Sequence, residues 1–143
     1  MMKEILIDTN IIIRLFDTTS QPKQTVKAKR LFEQANDLNH TLVIAPPVLF
    51  EVAWVLRSSL KWSNSEIFDV LEAIMSWPGV KVLDLKQAKK ALSIGRKQNI
   101  GFADSYLATT AQQYNLPVAT FDEGHFRKLD VALHEFMCDS SND

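Results

Sequence analysis

Apolar residues fall in short runs separated by longer stretches of helical spacing. Glu4 to Asp8 reads as a buried strand, followed by a short helix over Asn10 to Phe16. Pro22 to Leu38 has helical spacing, with Val26, Leu31 and Phe32 expected inward and Lys23, Lys27, Lys29 and Arg30 among the polar positions. Leu42 to Ala45 is a second strand, stopped by Pro46 and Pro47, which suit the first turn of a helix running to about Leu60. Ser63 with Glu66 three residues on is a capping-box pattern for the next helix, which ends at Trp77-Pro78-Gly79. A third strand over Val80 to Asp84 precedes helices over Lys86 to Gln98 and Phe102 to Tyr114. Pro117 to Thr120 and Val131 to Leu133 are expected as strands four and five. Strands alternating with helices predict an α/β fold, a parallel sheet covered on both faces.

The 143 residues fit one compact domain, expected over 1–138, with a frayed polar tail over 139–143. No repeat, linker or low-complexity segment interrupts it. The formal net charge of −1 gives no global positive field for nucleic acid, so any such binding falls to local patches. Cys138 alone cannot form an internal disulfide, and the three histidines with one cysteine do not build a structural zinc site. EILID follows at once from the N-terminus with no signal-peptide layout, and no apolar run reaches the ~18 residues of a membrane span. A cytoplasmic protein is expected.

Four acids change this bland picture: Asp8, Glu51, Asp104 and Asp122. Asp8 ends strand one, and Glu51 lies early in the helix after strand two. Asp104 opens the helix that feeds strand four, and Asp122 follows that strand by two residues. All four fall toward the carboxyl edge of the sheet, where ligands of open α/β folds bind. If strands one and four are neighbours there, Asp8 and Asp122 face each other. Two like charges ~4 Å apart cost ~4 kcal/mol at an effective dielectric of ~20, so such a group requires raised pKa values or a divalent cation.

Each acid also has a structural role open to it. Asp8 and Asp104 suit helix starts, and Asp122 suits an Asx turn. Glu51 differs, because it is the only charge in VLFEVAWVL, a helix apolar nearly all round and so expected to be buried. An unpaired carboxylate there is costly, and a cation or an arginine, Arg57 or Arg14, must compensate. All-oxygen ligation suits Mg²⁺ or Mn²⁺. Asn10 and Thr120 flank acids at strand ends and are candidates for holding those carboxylates by hydrogen bonds. His40, His125 and His134 are scattered. Arg127 and Lys128, just past Asp122, are the cations best placed for an RNA backbone, with Arg14 a further candidate. Trp54, Trp62 and Trp77 are assigned to packing or a subunit interface rather than base stacking.

ILIDTN, PPVLFEVAWVL, GFADSYLATTA and PVATFDEGHF, in this order, resemble a PIN domain, and the length resembles the VapC-type toxins of toxin–antitoxin pairs. The resemblance spans about Ile5 to Phe126. It implies a three-layer α/β/α sandwich with a parallel sheet in the order 3-2-1-4-5, and Mg²⁺- or Mn²⁺-dependent endoribonuclease activity on RNA. It implies Asp8, Glu51, Asp104 and Asp122 as the catalytic, metal-holding quartet, with Thr120 in support. It further implies a homodimer and a protein antitoxin. In one respect the chain departs from this pattern. His125 stands where many relatives carry an acid, so Asp122 or Glu123 fills the fourth position. A stand-alone PIN ribonuclease is the nearest alternative. A haloacid-dehalogenase-type phosphatase wants an aspartate where Asn10 stands, and a receiver-like module wants paired acids and a lysine that are missing.

Overall fold

The computed structural model describes residues 3–137. Cys138 and the tail expected to fray, 139–143, lie outside the described residues. Three strands, β1 (Lys3–Leu6), β2 (His40–Ile44) and β3 (Val80–Val82), form a parallel sheet in the order β1-β2-β3. Leu6 aligns with Val43, and Ile44 with Val82. Helices α1 (Thr9–Phe16), α2 (Pro22–Asn36), α3 (Pro46–Ser58), α4 (Asn64–Met75), α5 (Leu85–Gln98), α6 (Phe102–Tyr114) and α7 (Glu123–Arg127) flank it. The fold is thus α/β with a parallel sheet flanked by helices. No described helix is long and apolar enough to cross a membrane.

The 3-2-1 part of the expected sheet order is present. The 4-5 part is reduced to one parallel bridge, Val118 with Leu133, held by Val118 N–H to Ala132 O and His134 N–H to Val118 O, both 2.8 Å. Among the described residues this bridge is not joined to β1. Pro117 has no N–H to give a ladder, which limits this segment to a single pairing. Without a neighbour on that side, β1 is an edge strand rather than the buried one expected, and Leu6 is 68% exposed.

Stripe geometry accounts for the helix packing. In α2 the buried positions are Thr25, Ala28, Phe32 and Ala35, and the small residues let α2 approach β2 and α1. Val26 falls off this stripe and is exposed, contrary to expectation. Thr25 Oγ1 donates to Arg14 O at 2.9 Å, tying α2 to α1. The Ser63–Glu66 capping box starts α4 as expected. Asp84, in the left-handed region at φ 57°, ends the β3 segment and turns the chain into α5. The core is continuous from Ile7, Leu42, Ile44 and Val82 of the sheet region through Leu49, Val52 and Leu56 of α3 to Phe68 and Leu71 of α4.

Candidate functional site

The sheet and α3 bring the first two acids together. Asp8 caps α1, accepting from Thr9 N–H at 2.7 Å, because an acid at a helix start meets unsatisfied amide donors. The buried Thr9 hydroxyl donates to Glu51 Oε2 at 3.0 Å. One threonine therefore links an acid at the end of the β1 segment to an acid on α3. Glu51 is exposed, not buried, and neither expected arginine pairs with it. Arg57 Nη1 donates to Asn64 Oδ1 at 2.7 Å, while Arg14 serves Gln24 and Asp17. The helix reads as apolar all round, but only Leu49, Val52 and Leu56 are fully covered, and Trp54 is 67% exposed. Glu51 lies on that uncovered side, so its carboxylate stays hydrated.

The second pair gathers around a histidine. Asp104 sits in the first turn of α6, where negative charge opposes the helix dipole favourably. Thr120 Oγ1 accepts from Asp122 N–H at 2.9 Å, which fixes the turn that presents Asp122. His125 Nδ1 lies 3.3 Å from Asp104 Oδ2 and 3.1 Å from Asp122 Oδ2. One ligand atom from each of these three residues falls within 4.8 Å of the others. Two carboxylates and an imidazole are a donor set that suits a divalent cation completed by water, so the residues present fit a divalent metal. Asp8 and Glu51 lie outside this three-residue group. The two halves adjoin through aromatic packing, because Phe50, next to Glu51, meets Phe102, two residues before Asp104, with ring centroids 5.4 Å apart.

Glu123 is engaged elsewhere, paired with Arg127 Nη2 at 2.7 Å across one turn of α7. Lys128 is exposed just beyond it, and Asn10 is exposed on the first turn of α1. His125, read from the sequence as one of the scattered histidines, joins the two acids here. Its signal was the Asp-x-x-His spacing from Asp122, which one turn of helix turns into proximity. Two concave regions lie in this part of the molecule. A groove of about 360 Å³ has Asp104 on its rim and Phe50, Trp54, Arg57 and Phe102 in its walls. Beyond Phe50, Tyr106 lines a second pocket with Asp84. Burial, then the Asp84 carboxylate and Tyr114, push the Tyr106 hydroxyl above its ordinary value of 10.0.

The chain is 20% identical over 124 residues to a VapC ribonuclease of Aquifex aeolicus (strain VF5), covering 87% of this chain and 90% of that protein. Among solved structures it resembles FitAB bound to an IR36 DNA fragment, at 22% identity and TM-score 0.37, covering 91% of this chain and 93% of that one. It also resembles FitAcB from Neisseria gonorrhoeae, at 23% identity and TM-score 0.31, covering 92% and 96%. The family model of the PIN domain matches residues 5–132, nearly the whole chain, and the protein belongs to the PIN domain family.

Proposed function

We propose that this protein is a cytoplasmic, metal-dependent endoribonuclease, the toxin of a toxin–antitoxin pair. The observation that carries the reading is the approach of Asp104, Asp122 and His125 to within 4.8 Å of one another in a chain of PIN-domain sequence. Similarity to a protein named VapC ribonuclease supports the same reaction class. In this reading Asp104 and Asp122 hold the cation, with His125 beside them, and Glu51 and Asp8 complete an acidic face. A bound Mg²⁺ or Mn²⁺ supplies polarisation of a phosphoryl oxygen and a lowered pKa for water. Asp8 orients the attacking water and takes its proton. The water oxygen bonds to phosphorus, the bond to O3′ breaks, and the departing O3′ takes a proton from solvent, leaving 5′-phosphate and 3′-hydroxyl ends. Thr9 and Thr120 position the acids, Glu51 and Asp122 respectively. Arg127, Lys128 and Arg14 contribute to phosphate attraction.

An antitoxin segment is assigned to the groove beside Asp104, where exposed Trp54 offers an apolar anchor next to acidic groups. A homodimer is part of the same proposal. Phe121 is 94% exposed and stacks on Phe136, leaving apolar surface that a second copy would cover. A monomer in sedimentation at micromolar concentration would remove that part alone.

The deciding experiment is cleavage of defined RNAs by purified protein with Mg²⁺ or Mn²⁺, with EDTA, and with metal restored. Cleavage that EDTA stops and metal restores, with 5′-phosphate ends, is expected. Metal-independent cleavage with cyclic-phosphate ends, or none with any RNA, overturns the reading. A neighbouring small reading frame whose product binds and inhibits the protein is the expected antitoxin.

A further inference from the structure

A pocket of about 440 Å³ between α5 and α6, within the size range of small-ligand sites, has no role in the scheme above. Its lining mixes one acid, Asp84, with two lysines, Lys86 and Lys90, and two tyrosines, Tyr106 and Tyr114. The lysines are one helical turn apart and exposed, and among the described residues neither is in an ion pair. The Asp84 side chain makes no capping bond to α5, although it stands at that helix's start. Its acceptors are therefore unspent on the protein's own amides. Tyr114 is 63% exposed, a ring face open to solvent. Gln87, by contrast, is occupied, donating to Thr109 and Thr110 Oγ1 at 2.8 and 3.3 Å.

These groups ask for a ligand with three features at once. The lysines want anionic oxygen. A bare phosphate does not satisfy the pocket, because Asp84 repels it. The ligand must also present hydrogen-bond donors to a carboxylate and a flat face to a phenol ring. A nucleotide of an unpaired RNA strand has all three, since unpaired bases are read by aromatic stacking and along their Watson–Crick edges. Among the four bases guanine alone sets two adjacent donors, N1–H and the exocyclic amine, on that edge. Uracil flanks its one donor with carbonyls, while adenine and cytosine pair a donor with an acceptor.

We propose that this pocket is a guanine-selective subsite for single-stranded RNA, with Asp84 accepting from the base edge, Tyr114 stacking on its face, and Lys86 and Lys90 holding the flanking phosphates. The proposal rests on the ribonuclease reading. The pocket connects toward the acids through Tyr106. Tyr106 packs edge-on against Phe50 at 4.9 Å, and Phe50 is the neighbour of Glu51. One strand reaches both places, so the subsite selects sequence a short distance from the bond cut.

The test is fluorescence anisotropy with labelled hexauridine carrying one guanosine, inosine, adenosine or cytidine, using full-length Asp8→Asn protein so that the RNA stays intact. Guanosine is expected to bind about fivefold or more tighter than plain hexauridine. Inosine, which lacks the amine, loses most of that gain. Asp84→Asn erases the preference without weakening hexauridine binding, and asparagine suits the left-handed backbone there. The Lys86→Ala/Lys90→Ala double variant flattens the log–log salt dependence by about 1.4, at roughly 0.7 for each single-strand phosphate contact. Tyr114→Ala weakens all ligands about fivefold or more, and Tyr114→Phe does not. Melting curves check that each variant is folded. RNA binding with no guanosine preference, or with a preference that survives Asp84→Asn, overturns the subsite alone. Failure of both wild-type and Asp8→Asn protein to bind any RNA at low salt overturns the ribonuclease reading with it.

Discussion

The Thr9 hydroxyl donates to Glu51 Oε2 at 3.0 Å, joining residues 42 apart in sequence. Thr9 is buried while Glu51 is exposed, so a fixed donor restrains a carboxylate that would otherwise wander in water. Thr9→Val keeps the shape and removes the donor. Because Glu51 regains water, the stability loss is expected at about 0.5–1.5 kcal/mol. RNA cleavage is expected to fall roughly tenfold or more, the scale of losing a group that orients an acid of the proposed site. Thr9→Ser restores activity. Equal activity in the valine and threonine proteins would show that Glu51 needs no restraint.

Asp8 combines a structural bond with a proposed chemical one, and these separate by substitution. Asparagine caps a helix as well as aspartate does, so Asp8→Asn retains the bond to Thr9 N–H and the fold. It removes the charge and the capacity to take a proton. Cleavage is expected to fall about 10²–10⁴-fold with the melting temperature held or raised in metal-free buffer. Full cleavage by that variant, with a contaminating nuclease excluded by a second purification, would take Asp8 out of the mechanism.

The helices were legible because their periodicity and punctuation act locally. The Ser63–Glu66 box, the prolines that open α3 and the limits of α6 needed no knowledge of the rest of the molecule. Exposure was less legible, because it depends on which faces are covered. The run around Glu51 counts as apolar on every side, yet Glu51 and Trp54 fall where nothing packs. Helix α7 spans five residues, too few for a period, and its signs were the Asp122–His125 and Glu123–Arg127 spacings. The fourth and fifth strands were legible as apolar runs, but how far they pair depends on backbone donors that Pro117 lacks. Of the candidate site, the residue types were visible along the chain. That His125 closes on Asp104 and Asp122 depends on a turn of helix invisible to a search for paired histidines.

Gly79 is a purely structural test. It adopts φ +83°, and its carbonyl accepts from Leu42 N–H at 2.8 Å, stitching the entry to β3 onto β2. A Cβ there would strike the Ala35 carbonyl oxygen and come within 2.8 Å of its carbon, which is backbone and cannot swing aside. Gly79→Ala is therefore expected to cost about 1–3 kcal/mol, from strained φ and overpacking together. Urea unfolding measures the loss, while cleavage by the folded fraction stays unchanged. A stability within about 0.5 kcal/mol of wild type, the scatter of neutral surface changes, would mean that the turn relaxes.

In the proposed site, His125 is the ligand expected to bias which divalent ion is favoured. An imidazole beside two carboxylates strengthens binding of a borderline ion such as Mn²⁺ more than that of hard Mg²⁺, which prefers oxygen and keeps its waters. Metal that binds only the folded protein raises its melting temperature, so thermal shift reads the preference directly. At equal concentrations Mn²⁺ is expected to raise the melting temperature of wild-type protein more than Mg²⁺ does. His125→Ala narrows that gap, because only the carboxylates remain. His125→Asp restores a third ligand as oxygen and moves the preference toward Mg²⁺, with cleavage in Mg²⁺ retained. Identical Mn²⁺ and Mg²⁺ shifts in all three proteins would show that the histidine pairs with the acids only while the cation is away.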